Sequence, residues 1–302
     1  MDQAINGATA RLLDGKTTAQ AIKNDIAAAV ALMQERGQRP PHLVAMLVGN
    51  HGASETYVAS KVKSCGEVGF QSTLLRYPPA ISEAELLGAV QAVNEDPGVD
   101  GLLVQLPLPD HISVEKVTER ISPSKDVDGF HPVNIGRMAK GLPAFISATP
   151  FGILQLLERY QLPTAGKHCV VVGRSQIVGL PMSLLMGRNA YPGNCTVTLC
   201  HSKTPDIAEL TRQADILIAA LGKPGFITAD MVKPGAVVID VGLTRVDDAT
   251  RKSGFALKGD VRFDEVAPRA SYITPVPGGV GLMTIAALLQ NTLLSAQKKV
   301  YG

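Results

Sequence analysis

Tryptophan is absent from the 302-residue chain, and aromatic residues make up only 4% of it. That scarcity removes the stacked-ring surfaces on which single-stranded nucleic acids are held. An excess of one charge is lacking too. The 29 Lys and Arg stand against 27 Asp and Glu, a formal charge of +2, so no general field draws the chain to nucleic acid or membrane. No apolar run approaches the roughly 18 residues of a membrane-crossing helix, and no signal-peptide pattern opens the chain. The four cysteines, Cys65, Cys169, Cys195 and Cys200, contain no C-x-x-C, and three lie in or beside apolar strand-like runs. They read as reduced, mostly buried thiols. The six His give no metal-ligand spacing. These absences predict a soluble, cytoplasmic protein with no metal centre and no nucleic-acid or membrane partner.

What is present is core-forming material. Hydrophobic residues are 45% and charged residues 19%, enough for two domains with packed interiors. Residues 1–10 carry no period and read as a mobile start. From Asp14 to Gly37 the apolar positions recur at helical spacing, and Pro40-Pro41 ends that helix. The run His42–Val48 reads as a buried strand, and a second strand-like run spans Phe70 to Tyr77. Ser82 and Glu85 form a capping box for the helix that follows, and Gly101–Pro109 is a strand ending in a proline-locked turn. Gly and Pro crowd the stretch 122–150, which reads as loop, with a helix from Pro150 to Tyr160 after it. The second half repeats the rhythm. Strands are expected at 168–173, 196–200, 215–221, 236–241 and 272–275, with helices beginning near Pro181, after Thr204-Pro205, after Thr228 and at Thr284. Alternation of this kind means α/β with mostly parallel pairing.

Three stretches carry candidate chemistry. Tyr57 and Lys61 sit four apart in Ala53–Lys63, on one face of a helix whose N-cap reads as Ser54, while Val58, Val62 and Cys65 form a separate apolar stripe. From those residues alone a solvated lysine beside a packed tyrosine is the more ordinary reading, because Tyr-x-x-x-Lys is short and common. Val172–Gly179 follows a strand and opens a helix, the context of a phosphate-binding turn, although it is not G-x-G-x-x-G. The next strand ends in Cys200-His201-Ser202-Lys203 with no acid to take a ribose hydroxyl. With Arg174 nearby, those donors and positive charge favour NADP over NAD. Gln105 and the Asp126/Asp128 pair lie at strand ends or in loops, where open α/β sheets place ligands. Pro277–Gly281 holds three glycines that let backbone approach a ligand. In short-chain dehydrogenases the nucleotide loop precedes the Tyr-x-x-x-Lys pair. Here the pair comes first, in another domain, which excludes that family.

Taken in order, Tyr57–Lys63, Val104–Pro109, Lys125–Gly129, Gly173–Ser175, Cys200–Thr204 and Thr274–Gly281 resemble one family over nearly the whole chain: the bifunctional methylenetetrahydrofolate dehydrogenase/cyclohydrolases. The fold implied is α/β in two domains. An N-terminal α/β substrate domain (1–148), with the C-terminal helix 284–302 returning to it, accompanies a Rossmann-like parallel-sheet NADP domain (149–283). The resemblance implies an oxidoreductase and hydrolase of one-carbon metabolism and purine biosynthesis, a homodimer acting on tetrahydrofolate one-carbon derivatives. NADP takes a hydride from 5,10-methylenetetrahydrofolate, and water then opens the methenyl product to 10-formyltetrahydrofolate, at one site in the interdomain cleft. By the same resemblance Lys61 transfers protons, a hydrogen bond from Gln105 helps keep it neutral beside the cationic intermediate, Tyr57 stacks on the folate rings and Asp128 accepts from the pterin. Val104, Leu106, Pro277, Gly278, Gly279, Val280, Gly281 and Thr284 are implied substrate contacts. Gly173, Arg174, Ser175, Ser202 and Leu243 are implied to hold NADP. The chain departs from the family pattern at Leu282 and Ser147, where a proline is usual. Neither position is a proposed reacting group.

Overall fold

The computed structural model describes residues 10–50, 52–251 and 254–301. The described chain opens with β1 (Arg11–Leu12), α1 (Gly15–Glu35), β2 (His42–Val48), α2 (Gly52–Glu67) and β3 (Gln71–Tyr77). After these come α3 (Glu83–Glu95), β4 (Gly101–Val104) and three helices, α4 (Val114–Arg120), α5 (Pro132–Ala139) and α6 (Ala148–Arg159). The chain continues with β5 (His168–Val172), α7 (Gly179–Gly187), β6 (Thr196–Cys200), α8 (Ile207–Thr211), β7 (Ile216–Ala219) and β8 (Val237–Asp240). It closes with β9 (Thr244–Asp247), β10 (Phe255–Lys258), α9 (Phe263–Val266), β11 (Tyr272–Ile273) and α10 (Val280–Ala296). Among the described residues no helix is long and apolar enough to cross a membrane.

The chain divides into two compact units. One comprises the described residues 10–19 with Thr149–Thr284; the other comprises Gln20–Ala148 with residues 285–301. The second unit is built on three parallel strands in the order β3-β2-β4. Leu43 to Val48 are all buried, as expected of a central strand covered on both faces. Val44, Met46, Leu102 and Val104 pack with Leu86 and Val90 of α3 and Val117 of α4. The capping box is present: Glu85 N–H donates to Ser82 Oγ at 3.2 Å, and Ser82 N–H donates to Glu85 Oε2 at 2.9 Å.

The other unit holds a six-stranded sheet, β1-β11-β8-β7-β5-β6, parallel throughout. From β5 the chain moves outward to β6, then crosses back to β7 and β8. This reversal opens a crevice beyond the carboxyl ends of β5 and β7, where doubly wound sheets bind ligands. Val170, Val172, Leu217, Ala219, Val238 and Ile273 form its core.

Several expectations need correction. Residues 1–9 of the expected mobile start lie outside the described residues, but Ala10 is buried in the six-stranded unit's core. Arg11 and Leu12 pair with Tyr272 and Ile273, so this segment belongs with the larger sheet and not with the first domain. Two paired residues leave no periodicity to read. The loop expected over 122–150 contains α5, because Pro132 stands at the first helical position, where its missing N–H costs nothing, and His131 Nδ1 accepts from Val133 N–H at 3.0 Å. The helix expected after Thr228 is one 3-10 turn, Ala229–Met231; Pro234 disfavours helical backbone at Lys233. The antiparallel β9–β10 hairpin was not anticipated.

Leu217 is fully buried in the middle of the six-stranded sheet. Leu217→Ala is expected to lower unfolding free energy by about 2–5 kcal/mol, measured by urea denaturation. A loss below about 0.5 kcal/mol would place this strand outside the core.

Candidate active site

In the unit of residues 20–148, α2 carries Tyr57 and Lys61 on one face. Val58 and Cys65 are buried in its apolar stripe and Val62 is half-buried. Ser54 is not the N-cap, because the helix begins at Gly52. Ser54 instead lies buried in the first turn, and its hydroxyl donates to Leu106 O at 3.4 Å. The helix start is thereby tied to the loop after β4.

Lys61 is the unusual member, a lysine side chain only 5% exposed. Burying an amine demands acceptors. Its Nζ donates to Gln105 Oε1 at 3.3 Å, stands 4.0 Å from Asp128 Oδ2 and lies 4.9 Å from the centre of the Tyr57 ring. The side chains of Tyr57, Lys61, Gln105 and Asp128 therefore converge on one amine, with Val104 and Leu106 flanking Gln105. The hydrogen bond expected from Gln105 to Lys61 runs the other way. Gln105 Nε2 donates to Leu106 O at 2.8 Å, and only the amide's NH2 end can do so. Its oxygen is left facing Lys61 as an acceptor.

Asp128 rides a tight loop in which Gly129 has φ +73°. A Cβ there would meet Ser147 N at 2.5 Å, so glycine is required. Beneath the loop Asp126 is buried and accepts from Phe130 N–H at 3.2 Å, His131 N–H at 2.8 Å and Asn134 Nδ2 at 2.9 Å. Burial outweighs those donors and pushes its carboxyl up to about 7, with the Asp128 carboxylate adding to the rise.

The remaining sequence-predicted residues all fall in the unit of the six-stranded sheet. Gly173 leaves β5 with φ +119°. A Cβ on Gly173 would collide with Ala220 O, and one on Gly179 with Gly173 O, so this turn is compressed backbone that tolerates no side chain at either position. Ser175 Oγ accepts from the N–H groups of Val178 and Gly179 at 3.2 and 3.4 Å, which fixes the entry into α7. That helix begins at Gly179, two residues before the expected Pro181. Arg174 and Ser175 are exposed. Val172 pairs with Cys200 in register, so Gly173-Arg174 and His201-Ser202 leave adjacent strand ends. Ser202 and Lys203 are exposed, and 196–205 contains no acid. A compressed glycine turn, cations and hydroxyls with no carboxylate together fit a dinucleotide bearing an extra phosphate.

Leu243 follows β8 and is 51% exposed. Pro277–Thr284 follow β11 and enter α10. Gly278 has φ +109°, and its carbonyl accepts from Lys16 N–H at 3.1 Å. Thr284 Oγ1 is 3.0 Å from Thr149 Oγ1. Of the two departures, Leu282 is 38% exposed and Ser147 is fully buried.

Asp240 and Asp260 went unnoticed in the sequence. Asp240 is buried at the end of β8 and accepts from the N–H groups of Gly242 at 2.9 Å, Asp260 at 2.9 Å and Val261 at 3.0 Å. Asp260 Oδ2 in turn accepts from Leu221 at 2.6 Å and Gly222 at 2.9 Å. Two carboxyls thus staple the loops after β7 and β8. Burial pushes Asp240 up to about 7, and Asp260 adds to the rise. The one available signal was the Asp closing the apolar run Val237–Asp240; Asp260 follows Lys258-Gly259 and carries none.

Comparison with known proteins bears on both units. A family model described as tetrahydrofolate dehydrogenase/cyclohydrolase, catalytic domain, matches residues 13–128, and one described as tetrahydrofolate dehydrogenase/cyclohydrolase, NAD(P)-binding domain, matches residues 147–300. The bifunctional protein FolD of Porphyromonas gingivalis is 62% identical over 289 residues, covering 96% of this chain and 98% of that protein. That of Cytophaga hutchinsonii is 61% identical, covering 96% and 100%. Among solved structures, the Trypanosoma brucei methylenetetrahydrofolate dehydrogenase-cyclohydrolase (FolD), complexed with NADP cofactor and inhibitor, superposes with a TM-score of 0.92 at 38% identity, covering 97% of this chain and 99% of that one. The Campylobacter jejuni bifunctional FolD enzyme gives 0.89 at 44% identity, covering 95% and 99%.

Gly179→Ala must displace the Gly173 carbonyl, and is expected to weaken NADP binding by at least about tenfold, roughly 1.4 kcal/mol, in a fluorescence titration. Unchanged affinity would remove the turn from the nucleotide site. The two raised carboxyls also set a sign. Asp126 and Asp240 stay protonated in the folded chain up to about 7, while an unfolded aspartate ionises near 3.8. Their contribution to stability is therefore full below about 4 and lost as pH rises towards about 7. The melting temperature of the chain relative to an Asp126→Asn, Asp240→Asn double variant should fall across that window and level off above it; a difference independent of pH would contradict the raised carboxyls.

Proposed function

The chain belongs to the tetrahydrofolate dehydrogenase/cyclohydrolase family, and on that premise we propose that both of its reactions run on the residues gathered around Lys61. The enzyme oxidises 5,10-methylenetetrahydrofolate to the methenyl compound with NADP and hydrolyses that product to 10-formyltetrahydrofolate. The observation that supports the reading best is the burial of Lys61 against Gln105, Asp128 and Tyr57.

The carbon that reacts lies between two nitrogens able to spread positive charge, so oxidation asks for positioning more than for an acid. NADP, when bound, accepts the hydride. Gly173, Arg174, Ser175, Ser202 and Leu243 hold the dinucleotide in this reading. Tyr57 lays its ring beneath the folate rings, and the Asp128 carboxylate accepts from the amino-pyrimidine edge of the pterin, a charge-assisted pairing. Val104 and Leu106, with Pro277–Gly281 and Thr284, complete the folate contacts.

Hydrolysis asks for more. A proton must leave the attacking water and one must reach the departing nitrogen. Lys61 is the buried amine able to carry it. Gln105 fixes Lys61 by accepting one N–H and is itself fixed by Leu106 O, so the amine is aimed before substrate arrives. The reading extends to a cytoplasmic homodimer whose 10-formyl product serves purine biosynthesis, as the family resemblance implies.

Lys61→Met keeps a stem of similar length and removes the proton carrier. It is expected to abolish cyclohydrolase activity by a factor of roughly 10² or more and to remove dehydrogenase activity, with NADP binding intact. Methenyltetrahydrofolate absorbance follows both steps. A wild-type hydrolysis rate would take Lys61 out of the mechanism.

A further inference from the structure

The Asp128 loop is held from a distant part of the chain. Asn291 lies on α10, in the portion belonging to the unit of residues 20–148, and is 1% exposed. Its side-chain Nδ2 donates to Val127 O at 2.8 Å and to Ile146 O at 2.9 Å. Both protons of one amide nitrogen are thereby spent on two backbone carbonyls. Val127 O belongs to the peptide immediately before Asp128. On the other side, Asp128 O accepts from Ala148 N–H at 3.2 Å. The peptides around Asp128 are thus anchored in sequence, Val127 by Asn291 and Asp128 by Ala148. Ile146, the second carbonyl that Asn291 holds, sits two residues before that same Ala148. Its carbonyl carbon also lies where a Cβ on Gly129 would fall, at 2.6 Å, so the two strands of loop touch.

We propose that Asn291 is a positioning residue for the enzyme, setting through Val127 and Ile146 where Asp128 presents its carboxylate to folate. The proposal rests on the reading of Asp128 as a folate-binding group. Asparagine suits the task because the two N–H bonds of its short amide diverge from one nitrogen and reach two carbonyls at once. The same contact stations Asp128 Oδ2 at 4.0 Å from Lys61 Nζ, a distance a loosened loop would not keep. A residue that merely filled the core would affect folding alone. One that acts through Asp128 affects folate recognition and leaves the nucleotide unit untouched.

The test is a double-mutant cycle on the full chain with steady-state kinetics. Asn291→Ala is expected to raise KM for methylenetetrahydrofolate roughly tenfold, with KM for NADP unchanged and kcat within about twofold. In an Asp128→Asn background the same change should add nothing, because its target is gone. A full tenfold rise on top of Asp128→Asn would overturn the positioning role and leave the reading of Asp128 standing. If Asp128→Asn alone leaves the folate KM unchanged, that reading fails and the positioning role falls with it. Should Asn291→Ala not fold, Asn291→Ser retains one hydroxyl donor and is run through the same cycle. An intermediate KM that vanishes with Asp128→Asn supports the proposal, and a wild-type KM overturns it.

Discussion

Burying the amine of Lys61 is the constraint from which the rest of its unit follows. A lysine in that position has to be surrounded by acceptors, because an unpartnered buried amine costs several kcal/mol. The structure supplies an amide oxygen from the end of β4, a carboxylate from the Asp128 loop and the face of an aromatic ring from the same helix. Each supplier has its own support. Gln105 is aimed by Leu106, Leu106 is tied to the first turn of α2 through Ser54, and the Asp128 loop is built over a buried Asp126. Directionality therefore comes from neutral groups with fixed dipoles as much as from charge.

The other unit solves a different problem by compression. Gly173 and Gly179 bring the backbone so close to itself that no side chain fits at either position, and Ser175 Oγ caps the entry into α7. Asp240 and Asp260 then fasten the loops that leave β7 and β8 by accepting from five backbone N–H groups. Carboxyls are used there as clasps for peptide groups.

What could be read in the sequence was local. Runs such as His42–Val48 and His168–Val172 announce buried parallel strands, Ser82 with Glu85 announces a helix start, and Tyr57 with Lys61 announces a shared face. All three depend on residues a few positions apart. What could not be read depends on partners far along the chain. Ser54 resembles a cap, yet its hydroxyl bonds Leu106; Arg11 and Leu12 are strand only because Tyr272 and Ile273 lie beside them. Pro132 suggests a break and instead starts α5, since the same residue type serves both purposes and His131 decides between them. The direction of the Gln105 amide was hidden for the same reason: it is dictated by a carbonyl, and carbonyls leave no mark in a sequence.

The hydrogen bonds from Asn291 change what counts as the catalytic domain. A fragment ending just past Asp128 would include Tyr57, Lys61, Gln105 and Asp128, every reacting side chain proposed for the chemistry. It would lack the amide that holds Val127 and, through Ile146, the return strand of the loop. Such a fragment would possess the right atoms without an address for one of them. For anyone grafting or shortening this enzyme, the last helix is therefore part of that unit, since it also buries Ile285, Leu288, Leu289 and Leu293 in it.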